Sequence, residues 1–154
     1  MSALYDSDFY SWSRTQAAGL RRLAELRLND LPELDWRELA EEIEDLGRSL
    51  ERELHSRYVV LLLHLLKWQF QPGLRCASWQ LSVTNQRRAI ARLLQKNPGL
   101  KSKVDAEFAD AYGPARLGAA SETGLVLATF PELCPFSREL VDDEAFWPGG
   151  EPDL

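Results

Sequence analysis

Apolar residues near the start of the chain recur at spacings of three and four. Phe9, Trp12, Leu20 and Leu23, with Gln16 and Arg27 completing the line, predict a helix over about residues 6–28. The breakers Asn29-Asp30-Leu31-Pro32 end it. Asp35 then offers an N-cap, with Glu38 three residues on in capping-box spacing. Leu39, Ile43, Leu46, Leu50 and Leu54 follow at helical spacing, and no proline occurs before Pro72. A second helix is therefore expected over 36–70, about 50 Å long at 1.5 Å per residue. From Trp36 to Glu53 it reads as one-sided, with an acidic outer face. From Tyr58 to Trp68 it is apolar nearly all round, and a helix apolar on every side is a surrounded one. That half is expected at the centre of the fold.

Pro72-Gly73 stops this helix, and Ser78 is the candidate cap of a third over 78–96. Its apolar line is Trp79, Val83, Ile90, Leu93 and Leu94, with Arg88, Arg92 and Lys96 as an i, i+4 stripe on the other face. Asn97 as N-cap and Pro98 at the first helical position begin a fourth helix over 98–123, carrying Leu100, Val104, Phe108, Tyr112 and Ala115. Gly113-Pro114 should kink or split it, and Thr123-Gly124 reads as its C-cap. After Gly124 the periodicity fades. Four prolines punctuate residues 125–154, yet Phe130, Phe136, Phe146 and Trp147 keep the segment apolar. It reads as an irregular strap laid over the helices, with one helical turn near Ser137–Val141. The expectation is an all-α protein: an antiparallel up-down bundle of about four main helices in a single domain, 1–154.

Composition narrows the class. The 154 residues are 45% hydrophobic and 27% charged, which argues against disorder. Two cysteines, Cys76 and Cys134, cannot make a disulfide framework or a four-thiolate zinc site, and two histidines, His55 and His64, cannot make a three-histidine centre. The longest apolar run, Tyr58–Leu63, is far short of the roughly 20 residues of a membrane span, and the first residues lack the pattern of a secretory signal. A cytoplasmic protein with no membrane contact is expected.

Charge is unevenly distributed. The net charge of −6 arises from 18 basic and 24 acidic residues. Residues 67–103 carry eight basic groups and no acidic one, while 33–66 are net −5 and 104–154 net −9. So basic a stretch could face phosphate, through Arg75, Arg87, Arg88, Arg92, Lys96, Lys101 and Lys103. The acidic flanks make neutralisation within the fold the plainer expectation.

Three patterns could carry chemistry. Glu41 with Glu44 and Glu107 with Asp110 place carboxylates one turn apart, as magnesium-binding helical pyrophosphohydrolases do. Here a whole helix intervenes between the motifs, so no metal site is assigned. Arg57 and His64 lie seven positions apart on one helix and so point the same way. That is the R-x(4–6)-H pattern of the HEPN-type helical ribonucleases, in which arginine steadies phosphate and histidine moves a proton. It lies in the most apolar stretch of the chain, where a core histidine and a snorkelling arginine are the ordinary explanation. No cysteine or serine nucleophile pattern and no glycine-rich phosphate loop is present, and no cofactor is implied.

Several strings, in order, resemble a known family: Asp8-Phe9-Tyr10-Ser11-Trp12, Trp36-Arg-Glu-Leu-Ala-Glu-Glu-Ile-Glu-Asp-Leu-Gly47, His64-Leu-Leu-Lys-Trp68, Ser78-Trp79 with Gln86-Arg87, Phe130-Pro-Glu-Leu-Cys-Pro135 and Phe146-Trp147-Pro148. Together they are similar to the bacterial domain-of-unknown-function family number twenty-nine. The resemblance implies a small all-helical protein and brings no activity or catalytic residue with it. Gly113-Pro114 departs from the helix-forming residues expected there.

Two functional classes follow. The first is a non-enzymatic interaction protein that binds a protein partner through Arg88, Arg92 and Lys96 or through its acidic surface. The second is a helical ribonuclease using Arg57 and His64. RNA is the less favoured partner of the basic stripe, and self-association stays open.

Overall fold

The computed structural model describes residues 3–26, 31, 33–150 and 152. Among them are six α-helices, three short 3-10 turns and no strand. The helices are α1 (Ala3–Ser7), α2 (Phe9–Leu26), α3 (Trp36–Phe70), α4 (Ala77–Lys96), α5 (Val104–Thr123) and α6 (Arg138–Asp142). The 3-10 turns cover Pro72–Leu74, Pro98–Lys103 and Leu127–Thr129. The chain is all-α. It divides into two compact units: residues 1–53 with 93–102, and residues 54–92 with 103–154.

Local sequence explains most element ends. Asp8 separates α1 from α2: its carboxylate accepts from the Ser11 amide at 3.1 Å, which makes it the N-cap of α2 and splits the single helix expected over 6–28. The end of that helix at 27–28, and most of the Asn29–Pro32 break, lie outside the described residues. Asp35 caps α3, accepting from the amides of Arg37 and Glu38 at 3.1 Å each. Ser78 is not the cap of α4. That helix begins one residue earlier, and the Gln80 amide already bonds the Cys76 carbonyl. Gly124 ends α5 in the left-handed region at φ 72°, its amide bonding the Ala120 carbonyl.

Two expectations around the fourth helix are corrected. Residues 98–103 form a 3-10 turn, and α-helix starts only at Val104. The Asn97 side chain does not cap it. Its Nδ2 turns back to the Leu93 carbonyl at 3.1 Å, and its Oδ1 accepts from the Tyr10 amide at 3.3 Å. Nor do Gly113 and Pro114 split α5, which runs unbroken from 104 to 123. Asp110, Gly113 and Pro114 are all exposed, so water can serve the carbonyl that Pro114 cannot bond.

In the first unit α2 runs antiparallel to α3. Arg21 reaches Glu41 and Glu44, whereas Tyr10, near the other end of α2, donates to Glu51. Gly47 permits close approach of the two helices, because a Cβ there would collide with the Ser13 hydroxyl. The face of α3 turned inward here is Ala40 and Gly47, both buried. Leu39 and Leu46, expected on the apolar line, stand 40% and 52% exposed, with Ile43 and Leu50 half-buried between them.

In the second unit the rest of α3 is surrounded, as its composition predicts. Leu61, Leu62, Leu65, Leu66 and Trp68 are fully buried. Lys67 lies over the Trp79 ring and Arg57 bonds Gln86, so α4 runs antiparallel to α3. His55 meets Glu107 and Lys67 meets Glu122, so α5 runs parallel to it. This is the up-down order of a helical bundle. The strap covers the C-terminal end of α3, where Phe130 packs on Phe70 and Trp147 on Trp68, with centroids 5.3 and 4.7 Å apart.

An irregular segment makes few hydrogen bonds of its own, and its carbonyls must find donors. Three arginines supply them. Arg75 donates to the Pro148 carbonyl at 3.1 Å and Arg116 to that of Phe130 at 3.0 Å. Arg87, only 4% exposed, donates to the carbonyls of Val141 and Phe146, both at 2.7 Å, and sits over the Trp147 ring. Burial lowers the pKa of Arg87 from its ordinary value, against the opposing pull of Asp143, Asp142 and Glu144.

The helical turn expected near Ser137–Val141 is α6, capped by the Ser137 hydroxyl. Its Asp142 accepts from the Tyr58 hydroxyl at 3.0 Å and from Arg138 at 3.2 Å. Burial raises the Asp142 pKa above its ordinary value despite these two donors. A raised carboxyl pKa means the native state holds the proton more tightly than the unfolded chain. The contribution of Asp142 to stability is therefore greatest below its ordinary range and is lost as pH rises through the raised value. Asp142→Asn, which still accepts from Tyr58, should change stability at neutral pH by less than about 1 kcal/mol. Wild type should gain on the variant as the pH falls through that window. Thermal midpoints of both proteins across the acidic range check this, and a difference that does not vary with pH would refute it.

Candidate functional site

The exposed side of α4 is built by periodicity. Val83, Arg87, Ile90 and Leu93 point inward and are buried. Ala77, Ser78, Leu81, Asn85, Arg88, Arg92 and Lys96 are left outside. The Arg88 side chain is 70% exposed and meets one carboxylate, Glu144, at 3.9 Å, with both groups in solvent. Arg92 and Lys96 form no ion pair among the described residues. The basic stretch thus divides. Arg75 and Arg87 are spent on strap carbonyls and Lys67 on Glu122 at 2.7 Å. The stripe stays outward: flanking acid reaches Arg88 through Glu144 and Lys67 through Glu122, whereas Arg92 and Lys96 meet none among the described residues.

The remaining candidates are each engaged locally. Both Arg57 and His64 lie on the second half of α3. The His64 Nδ1 stands 2.8 Å from the Val60 carbonyl one turn back, and Arg57 donates to Gln86 at 3.3 Å. Glu41 and Glu44 share Arg21, at 3.1 and 2.6 Å, and Glu44 also pairs with Arg48. The hydrogen bond from Arg21 lowers the Glu44 pKa below its ordinary value. Arg21, Glu25, Arg37 and Glu41 line a depression of about 220 Å³, within which Arg21 pairs with Glu41. Glu107 stands 3.4 Å from His55, and Asp110 is exposed on α5. The two acidic motifs fall in different units. Among the described residues no three His, Cys, Asp or Glu side chains are grouped to hold a metal ion. Also among them, no helix is long and apolar enough to cross a membrane.

Sequence reasoning missed the Tyr10 group. The Tyr10 hydroxyl donates to Glu51 and accepts from Arg14 at 3.1 Å. Asp8 takes the Gly99 amide at 2.7 Å. Asp8 and Tyr10 belong to one of the strings quoted above, and their position at a helix start was the available signal.

A family model described as "Domain of unknown function DUF29" matches residues 4–147. The chain belongs to the DUF29 family. A crystal structure of an alpha-helical protein of unknown function from Rhodospirillum rubrum is similar to it, with 30% sequence identity and a TM-score of 0.71, covering 95% of this chain and 93% of that one. No curated protein matches. For this DUF29 chain, the strings that carry the resemblance map onto joints. Trp68, Arg87 and Phe146-Trp147-Pro148 meet where the strap is held, and Asp8 and Tyr10 meet Gly99 and Asn97.

Proposed function

We propose that this DUF29 protein is a non-enzymatic interaction protein whose docking face is the exposed side of α4, with Arg88, Arg92 and Lys96 as the charges that meet an acidic protein partner. The observation that carries the reading is that three cations at successive turns of one helix stay outward in a chain of net charge −6. Elsewhere the same segment's arginines are consumed by the fold. Outward cations in register favour an acidic helix or loop over duplex nucleic acid, which the overall negative charge repels. His64 and Arg57 are both half-buried and the Nδ1 bond of His64 leaves its Nε2 uncommitted among the described residues, so the ribonuclease reading rests on the sequence pattern alone.

The triple change Arg88→Glu, Arg92→Glu, Lys96→Glu tests the face. Exposed charges of this kind contribute about 0–1 kcal/mol each, so the thermal midpoint should barely move. Pull-downs from native lysate should lose the species that wild type retains at low salt. A salt titration against RNA should show no binding by either protein. Equal recoveries from wild type and variant would remove the stripe as the docking face.

A further inference from the structure

The first half of α3 leaves a second face uncovered. Leu39 and Leu46 are exposed, Ile43 and Leu50 are half-buried, and the spacing 39, 43, 46, 50 is that of a coiled-coil seam. The neighbouring face of this stretch, Ala40 and Gly47, is already buried. Along one flank of the seam run Glu38, Glu42 and Asp45, all exposed. Glu38 and Glu42 form no ion pair among the described residues, while Asp45 shares Arg48 and Arg52. An aliphatic seam edged with carboxylates selects a cationic helix that also presents an apolar side chain.

Self-pairing of two α3 faces would set acid against acid. The chain does hold a helix of the required chemistry. On α4, Arg88, Arg92 and Lys96 repeat at i, i+4, i+8, against i, i+4, i+7 for Glu38, Glu42 and Asp45. At about 1.5 Å per residue the α4 line advances about 6 Å per charge, and the α3 line about 6 Å and then about 4.5 Å, so the two run nearly in step over two turns. Leu81, 60% exposed, lies two turns before Arg88 on the same side of α4.

We infer that the acidic leucine face of α3 in one copy of the chain takes the basic face of α4 in a second copy, making the protein a self-associating one. This rests on the reading of α4 as a docking face and names its partner. Each copy carries one face of each kind, so a two-fold dimer uses the contact twice, and a non-closing arrangement would grow into longer assemblies.

The test is light scattering after size exclusion, on the full chain. At low salt the expected mass is at least twice 17.5 kDa. It should fall towards the monomer in about 1 M salt, where screening shortens the reach of charge to roughly 3 Å. Arg88→Glu with Arg92→Glu makes both faces acidic, and Glu38→Lys with Glu42→Lys makes both basic. Each double variant should run as a monomer with unchanged helical circular dichroism. Mixed in equal amounts they should recover the assembly, because both contacts become complementary again. Leu46→Ser should also shift the mass to the monomer without loss of helicity.

A wild type that is monomeric at all concentrations overturns the self-association. If the α4 triple variant still loses its lysate partner in that case, the docking face stands and the second copy does not. Assembly that persists in both double variants overturns the pairing of these faces, and equal lysate recoveries then remove the α4 reading as well.

Discussion

Arg87→Ala is expected to free the C-terminal strap and to cost about 3–5 kcal/mol, the range for removing the partner of buried, charge-assisted hydrogen bonds. The guanidinium is 4% exposed and donates to the carbonyls of Val141 and Phe146, with Glu144 more distant at 3.5 Å. Alanine leaves those carbonyls without donors and removes the cation from the Trp147 ring, which itself rests on Trp68. Lysine should rescue only part of the loss, because one ammonium cannot reproduce the planar fork that spans residues 141 and 146. Limited proteolysis should cut the variant between 125 and 150 while wild type resists. The denaturant midpoint should fall with it. A variant that resists as wild type does would show that aromatic packing alone holds the strap.

Leu61→Ala is expected to cost about 2–5 kcal/mol, as transfer free energy is lost and a cavity is left. Leu61 is fully buried, one turn from Leu65 and two from Trp68, which are also fully buried. Here α3 meets α4, α5 and the strap, so the surroundings have little freedom to collapse into the gap. Leu46→Ala on the same helix is the matched control. Its side chain is 52% exposed, and in about 1 M salt, where the proposed self-association is screened, its replacement should leave stability nearly unchanged. Urea denaturation of both variants distinguishes the two halves of one helix. Equal midpoints would mean that α3 is not the central element.

How far the sequence reveals this molecule differs from residue to residue. The span of α3 is legible because its cap, its unbroken run of helix formers and its stop at Pro72-Gly73 are all local signals. The start of α5 is not, because Asn97 has two uses for its side chain and the winning one lies 87 residues away at Tyr10. The Leu39–Leu46 line is legible as periodic, but periodicity reports that a face is apolar without reporting what covers it. The charge count of residues 67–103 has the same limit. It cannot separate a guanidinium that feeds buried carbonyls, as Arg87 does, from one left in solvent, as Arg92 is. The outward stripe was nevertheless readable from the spacing of Arg88, Arg92 and Lys96 against Val83, Ile90 and Leu93.

The bond from the Gly99 amide to Asp8 spans 91 residues, and the unit that contains it is assembled from 1–53 and 93–102. This has a consequence for folding during synthesis. The amino-terminal helices leave the ribosome early, yet their partners at Asn97 and Gly99 are translated only after α3 and α4 have been made. Closing so long a loop costs entropy before any long-range contact repays it. Until then Asp8 lacks Gly99 and the Tyr10 amide lacks Asn97, although the Tyr10 hydroxyl can already meet Glu51 on α3. A pause in translation anywhere before codon 97 prolongs that interval.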